Sequence, residues 1–175
     1  IGVVNSHPIQ YFAPLYAHLN RDNRLEVTAL YCSNIGLRGA IDSSFKHALK
    51  WDIDLLSGYR SVFLGKRASK RELKGFWSLI VPEIWSEICS GQYDVIWLHG
   101  YSYAAYLIAF VAAKFKGLPV VLRGETHLGL RRSKWKWLIH KLVLSQTFKL
   151  VDAFLAIGLA NRQYYLAMGV PANKI

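Results

Sequence analysis

Polar side chains follow the predicted strands of this sequence at the points where those strands end. Strands predicted at 1–4, 94–98 and 120–122 each give way at once to polar groups. The carboxyl ends of parallel strands lie along one edge of a sheet, so residues far apart in sequence converge there. The candidate functional residues at that edge are His7, Gln10, Tyr11, His99, Gly100, Tyr101, Arg123, Gly124, Glu125, Thr126 and His127.

The loop after the first strand indicates which ligands to expect. It lacks the G-x-G-x-x-G pattern that brings a dinucleotide pyrophosphate close to the backbone. It offers His7, Gln10 and Tyr11 instead, side chains that contact sugars and phosphates. The sequence therefore favours a ligand other than NAD.

Each candidate also has a purely structural interpretation. His7 could be a helix-start residue, and His99 could be a core histidine whose ring nitrogens are satisfied. Arg123 and Glu125 could simply pair with each other, and His127 could lie on the surface of a loop. A charged residue directly after a Val-Val-Leu strand is nonetheless better placed for a cleft than for open solvent.

Strands and helices alternate along the whole chain. The strands are predicted at 1–4, 25–33, 61–64, 94–99, 120–123 and 153–157. The helices are predicted at 12–19, 72–90, 102–115, 134–149 and 160–168, with Pro82 kinking the second or starting its main body. This alternation predicts an α/β fold with a Rossmann-like, doubly wound parallel sheet, formed as a single domain by residues 1–175.

Composition and charge narrow the classes of partner. The chain is 53% hydrophobic and carries a net charge of +11, which argues against disorder and favours a polyanionic partner such as anionic lipid, nucleic acid or a phosphorylated substrate. No apolar run reaches the ~18 residues of a membrane-spanning helix. No cysteine or histidine spacing suggests a metal, so no metal site is predicted.

Two windows concentrate the basic residues, 60–75 and 131–150. The helix predicted at 134–149 places an apolar face beside basic side chains, a pattern that suits an anionic membrane surface and also an ordinary crossover helix. We expect weak peripheral binding to anionic bilayers through residues 66–74 and 131–141, and a cytoplasmic protein on the inner face of the cell membrane.

Three stretches resemble a known family. They are SHPIQYFAPLYAHL at 6–19, YDVIWLHGYSYAAYLIAFVAAKFKGLPVVLRGET at 93–126 and VDAFLAIGLANRQYYLAMGVPANKI at 151–175. Together they are similar to the N-terminal domain of a GT-B fold glycosyltransferase of the retaining family 4, also called glycosyl transferases group 1.

The resemblance implies an acceptor-binding domain and a second, donor-binding domain outside this chain, with a nucleotide sugar as substrate and no further cofactor. Many members carry a His after the strand at 120–122, where this chain has Arg123 and Glu125. The expected catalytic residues are therefore Arg123 for phosphate charge, Glu125 for an acceptor hydroxyl, and His99. The expected acceptor is a cell-envelope or lipid-linked glycan, and this chain alone is expected to be inactive.

Two other functions remain open at this point. A GT-B type nucleotide-sugar 2-epimerase would share the same half of the fold. A basic nucleic-acid-binding module would account for the charge, but the aromatic residues alternate into strands and helix faces rather than forming a stacking platform, so no nucleic-acid partner is expected.

Overall fold

The computed structural model describes residues 1–37, 53–64, 73, 75–129 and 134–175, and of residues 134–140 the backbone alone. Residues 66–72 of the first basic window and residues 131–133 of the second lie outside the described residues. So do the side chains of residues 134–140. The membrane expectation attached to these windows stays a prediction.

Six parallel strands form one sheet in the order β3-β2-β1-β4-β5-β6. The strands are β1 Gly2–Asn5, β2 Thr28–Tyr31, β3 Arg60–Phe63, β4 Ile96–Leu98, β5 Val120–Leu122 and β6 Ala153–Phe154. The sheet is parallel throughout and helices flank it, so the predicted Rossmann-like, doubly wound α/β class is confirmed. The order reverses between β1 and β4, and such a switch point is where ligands bind.

In the part of the chain that the structure describes, five α-helices connect or follow these strands. They are α1 Ala13–Leu19, α2 Glu83–Ser90, α3 Ala104–Phe115, α4 Lys134–Lys149 and α5 Leu159–Ala167. Short 3₁₀ turns lie at Ile35–Leu37, Phe76–Ser78 and Ala172–Lys174. No helix among the described residues is both long enough and apolar enough to cross a bilayer.

The helix was predicted over 72–90, and α2 spans Glu83–Ser90. Residues 72 and 74 lie outside the described residues. Proline at position 82 fixes its own φ, lacks an N–H group, and disfavours the helical conformation of the residue before it. The structure accordingly places Pro82 at the N-cap of α2, and residues 76–78 form a separate 3₁₀ turn. Pro82 starts the helix rather than kinking it.

Alternate strand residues face two apolar clusters on opposite sides of the sheet. Val4 and Leu98 pack into the larger cluster with α2, α3 and α5. Val3 and Trp97 pack into the smaller cluster with α1 and the segment around Tyr59. The period-two alternation of a strand accounts for this division. The parallel pairing of β1 with β4 and of β4 with β5 holds their carboxyl ends side by side.

Candidate functional site

A cavity of about 340 Å³ lies at the carboxyl ends of β1, β4 and β5. This is the sheet edge predicted from the sequence, at the switch point of the strand order, and its volume falls at the lower end of the ~300–1,000 Å³ typical of ligand pockets. The described lining residues are Asn5, Ser6, Ile9, Tyr11, Phe12, His99, Gly100, Ser102, Tyr103, Tyr106, Arg123, Gly124, Glu125 and Thr126.

A larger cavity, of about 880 Å³, lies at the opposite edge, where residues such as Ile1, Thr28 and Val95 begin or precede the strands. Open α/β sheets bind ligands beyond the carboxyl ends of their strands, not the amino ends. We therefore assign the candidate site to the smaller cavity.

His99 lies inside a cluster of aromatic rings. Its ring centroid is 4.1 Å from that of Phe12 and 4.6 Å from that of Trp97. Burial first, and the positive charge of Arg123 second, lower the pKa of His99 to about 3. The imidazole is therefore neutral at physiological pH, and it acts as a hydrogen-bonding group rather than as a cation.

The hydrogen bonds of Tyr16 indicate which nitrogen of His99 carries the proton. The buried Tyr16 hydroxyl accepts a bond from Asn5 Nδ2 at 3.2 Å and lies 2.8 Å from His99 Nε2. A phenol has a single proton, and because Asn5 already donates to this oxygen, we assign the Tyr16 hydroxyl as the donor to His99 Nε2. That assignment leaves the proton of His99 on Nδ1, a buried atom without a hydrogen-bond partner among the described residues.

Arg123 packs against the same cluster of aromatic rings. Its guanidinium carbon lies 4.6 Å from the centroid of the Phe12 ring, within the range of a cation–π contact. Its Nη1 atom also lies 3.3 Å from Glu125 Oε1. The Glu125 side chain is 61% exposed, so this pair is weak and leaves both charged groups able to engage a ligand.

Hydrogen bonds from two tyrosines and an asparagine hold the loop after β5 in place. The backbone N–H of Gly124 donates to Tyr165 Oη at 2.7 Å, and Thr126 Oγ1 accepts from Tyr101 Oη at 2.7 Å. Asn161 Nδ2 donates to the carbonyl of Thr126 at 2.7 Å. The segment that carries Arg123 and Glu125 is therefore positioned by side chains of α5 and of the loop after β4.

The structure brings seven of the eleven predicted residues to the cavity and leaves four outside its described lining. At the cavity are Tyr11, His99, Gly100, Arg123, Gly124, Glu125 and Thr126. Outside the described lining are His7, Gln10, Tyr101 and His127.

The reasons for these four exclusions differ. Tyr101 lines the neighbouring cavity between α3 and α4, and its hydroxyl donates to Thr126 Oγ1. His7 Nδ1 lies 2.9 Å from Ser6 Oγ, and burial lowers the pKa of its imidazole. Because α1 begins at Ala13, His7 is not a helix-start residue either. Gln10 and His127 are exposed, and His127 Nδ1 accepts from the N–H of Gly129, as a surface loop residue does.

Sequence reasoning missed the residues that support the site from the helices. Phe12 and Tyr16 lie on the apolar stripe of α1, which predicts core packing only. Tyr106 of α3 accepts a bond from the N–H of Ser6 at 3.1 Å. Asn5 was the available signal, because the sequence places a polar residue directly after an apolar strand. In the structure Asn5 is 1% exposed, and a polar residue so buried requires partners.

Gly100 is the position in this site where the backbone demands glycine. Its φ is +113°, a conformation that L side chains rarely adopt, although an added Cβ would meet nothing closer than Tyr106 at 3.9 Å. We expect Gly100→Ala to lower the free energy of unfolding by about 1–2 kcal/mol through backbone strain alone. Gly158→Ala is the matched control, because Gly158 is extended with open space around it. Equal losses in denaturant titrations of the two variants would contradict the strain argument.

No protein-family model matches this chain, and a search of curated proteins finds no significant match. The described residues contain no group of three or more His, Cys, Asp or Glu side chains that could hold a metal ion. The observations that bear on function are therefore the fold class and the cavity at the switch point.

Proposed function

We propose that this chain is the acceptor-side domain of a glycosyltransferase, of retaining hexosyltransferase type, that moves a sugar from a nucleotide sugar to a cell-envelope or lipid-linked glycan. The observation that carries the proposal is the cavity at the switch point. It combines a neutral histidine, an arginine, a carboxylate and several aromatic rings. The donor-binding domain would belong to further polypeptide.

The absence of glycine from the loop between β1 and α1 favours a sugar ligand over a dinucleotide. Between β1 and α1 the chain has no glycine, and Phe12 at the N-cap of α1 makes no side-chain capping bond. The close backbone approach that a pyrophosphate requires is therefore missing from this loop. The aromatic residues Tyr11 and Tyr103 offer instead ring surfaces that suit the C–H groups of a sugar.

The polar residues of the cavity have distinct roles in this proposal. Arg123 lies beside the reacting centre, where its guanidinium donates a hydrogen bond to an oxygen of the bound sugar and stabilises negative charge on the leaving phosphate. Glu125 accepts a hydrogen bond from the acceptor hydroxyl. The neutral imidazole of His99 lines the cavity without adding a charge to it.

Ligand-observed NMR tests the proposal on the 175-residue chain. The probes are the methyl and octyl glycosides of glucose, galactose, mannose and N-acetylglucosamine, with NAD⁺ and a single-stranded oligonucleotide as competitors of other classes. We expect saturation transfer to at least one glycoside and none to NAD⁺. Binding of NAD⁺ or of the oligonucleotide, with no glycoside binding, would contradict it.

Substitution of Arg123 places that binding in the cavity. Arg123→Ala is expected to weaken glycoside binding about tenfold, the effect of one charge-assisted hydrogen bond. Arg24→Ala is the matched control, because Arg24 pairs with Asp22 at the other edge of the sheet. Equal affinities of the two variants would place the glycoside elsewhere on the chain.

Turnover by residues 1–175 alone is expected to be absent, because half of the transition-state contacts belong to the proposed donor domain. Sugar transfer from any nucleotide sugar by this chain, at a rate like that of a complete transferase, would overturn the two-domain part of the proposal. A radiolabelled-donor assay measures it directly.

A further inference from the structure

A second cavity lies beside the candidate site, between α3 and α4. Its volume is about 210 Å³, and its described lining contains the rings of Phe76, Phe110 and Phe148 but no charged residue. We call it the α3–α4 cavity, and we call the cavity of about 340 Å³ at the sheet edge the site cavity. Apolar cavities of this size stay dry and take up hydrocarbon ligands, so this one is a candidate for an apolar group.

The two cavities share part of their wall. Gly100 and Tyr106 belong to the described lining of both. A Cβ added at Gly100 would have one atom within 4 Å beyond its chain neighbours, Cε2 of Tyr106 at 3.9 Å. The glycine therefore leaves open space at the shared wall, and a ligand bound in the site cavity can extend past it toward the α3–α4 cavity.

The polar side-chain atoms around the α3–α4 cavity already have partners. The Tyr101 hydroxyl donates to Thr126 Oγ1 at 2.7 Å. The Tyr106 hydroxyl accepts from the N–H of Ser6 at 3.1 Å, and both Thr126 and Ser6 line the site cavity. Thr147 Oγ1 donates to a backbone carbonyl of its own helix at 3.3 Å. A sugar or a nucleobase in the α3–α4 cavity would therefore leave its own polar groups unpaired, whereas a hydrocarbon group would not.

We propose that the α3–α4 cavity binds an unbranched hydrocarbon chain attached to the acceptor sugar. The sugar occupies the site cavity beside Arg123 and Glu125, and the chain passes Gly100 into the α3–α4 cavity. An apolar cavity of about 150 Å³ holds a benzene ring, so one of about 210 Å³ holds roughly eight carbon atoms. This inference rests on the sugar chemistry proposed above, and it adds a hydrocarbon site inside the protein that selects acceptors by the length of their chain.

A chain-length series of glycosides tests the cavity in the 175-residue chain. The probes are alkyl glycosides of the four sugars named above, with chains from methyl to dodecyl, kept below the concentrations at which they form micelles. We expect the affinity to rise about threefold with each added methylene and to level off near roughly eight carbons, where the cavity is full. Binding of the methyl glycosides with no effect of chain length would overturn this inference alone. An affinity that keeps rising through dodecyl would overturn it as well, because an enclosed site has a limit.

Primary alcohols from butanol to decanol separate the hydrocarbon site from the sugar site, since they carry no sugar. We expect their affinities to rise and level off at the same chain length as those of the glycosides. The same levelling with alcohols but no binding of any glycoside would overturn the proposed function and leave a site for hydrocarbon alone. No binding of the alcohols, and no gain in affinity from methyl to octyl glycoside, would overturn the hydrocarbon site.

Two variants change the size of the α3–α4 cavity at its rim. Val143 lines the cavity but is 59% exposed, so Val143→Trp adds a ring there without overpacking the core. It is expected to lower the affinity for octyl glycoside at least about tenfold and to leave that for methyl glycoside unchanged. Val111→Trp is the matched control, because Val111 is 46% exposed on α3 and lies outside the described lining. Leu107→Ala enlarges the cavity and is expected to move the levelling point to chains about two carbons longer. Equal octyl affinities of the two tryptophan variants would overturn the proposal.

Intermolecular nuclear Overhauser effects locate the chain in the wild-type protein and keep the proposal testable if a variant fails to fold. We expect contacts from the octyl chain to the ring protons of Phe110 and Phe148, which line the α3–α4 cavity. Phe115 is the internal control, because its ring is 75% exposed at the end of α3 and lies outside that lining. Contacts to Phe115 with none to Phe110 or Phe148 would place the chain on the surface and overturn the proposal.

Discussion

Acidification from pH 6.5 to about pH 4 is expected to lower the free energy of unfolding by about 3 kcal/mol through His99 alone. The folded pKa of this imidazole is lowered to about 3, by burial and then by Arg123, from an ordinary value of 6.5. Between these values the unfolded chain binds one proton more than the folded chain, so stability rises with pH by about 1.4 kcal/mol per unit. The His99 contribution is complete above pH 6.5 and is lost as the pH falls toward about 3.

Urea titrations at several pH values between about 7 and 4 measure this dependence. His99→Gln is expected to be less stable at neutral pH, because glutamine cannot replace the contacts of the imidazole with the surrounding aromatic rings. Its free energy of unfolding is expected to depend less steeply on pH. His18→Gln is the control, because that imidazole is exposed on α1. Burial also lowers the pKa of His7, which therefore contributes to the pH dependence of every variant. The test accordingly compares the slope of the free energy of unfolding against pH in each variant with that of the wild type. A His99→Gln profile parallel to that of the wild type would contradict the assignment.

Removal of the Tyr16 hydroxyl is expected to cost about 2–4 kcal/mol of stability, an effect of similar size. Tyr16→Phe keeps the ring and its packing but deprives both Asn5 Nδ2 and His99 Nε2 of their shared partner. Each polar group left unsatisfied in a buried place carries a cost of about 1–3 kcal/mol. The variant should also release His99 from a single tautomer, which nitrogen chemical shifts of the imidazole report.

Tyr93→Phe is the matched control for that hydroxyl. The Tyr93 hydroxyl donates to Glu87 Oε1 at 2.7 Å, and both side chains are half-buried. Solvent can replace the lost bond there, so the expected cost is below about 1 kcal/mol. If Tyr16→Phe costs no more than Tyr93→Phe, the Tyr16 hydroxyl does not organise the site.

The class of fold followed from the sequence because local patterns define it. Short β-branched runs such as Val120–Leu122 are typical of strands buried on both faces, and their alternation with helices requires a parallel sheet. The ends of the elements were less predictable. The second strand was predicted over 25–33 but pairs only over Thr28–Tyr31, since pairing depends on the neighbouring strands.

The candidate site was predictable only where topology alone places a residue. His99, Arg123 and Glu125 follow buried strands directly, so the shared sheet edge brings them together. The exposed position of Gln10 depends on the course of a loop, which spacing does not fix. The part played by Tyr16 depends on how α1 packs across the sheet, a tertiary relation between residues 16 and 99 that no local pattern carries.

The pairing of β1 has a consequence for the synthesis of the chain on the ribosome. Gly2 pairs with Thr28 on one side and with Ile96 on the other, so β1 is an interior strand whose two partners are made at very different times. Until β4 has left the exit tunnel, β1 presents an open, apolar edge of the kind that recruits other chains. Residues 1–95 are therefore the part of this domain that most needs shielding by chaperones during synthesis, and slow translation before residue 96 would prolong their exposure.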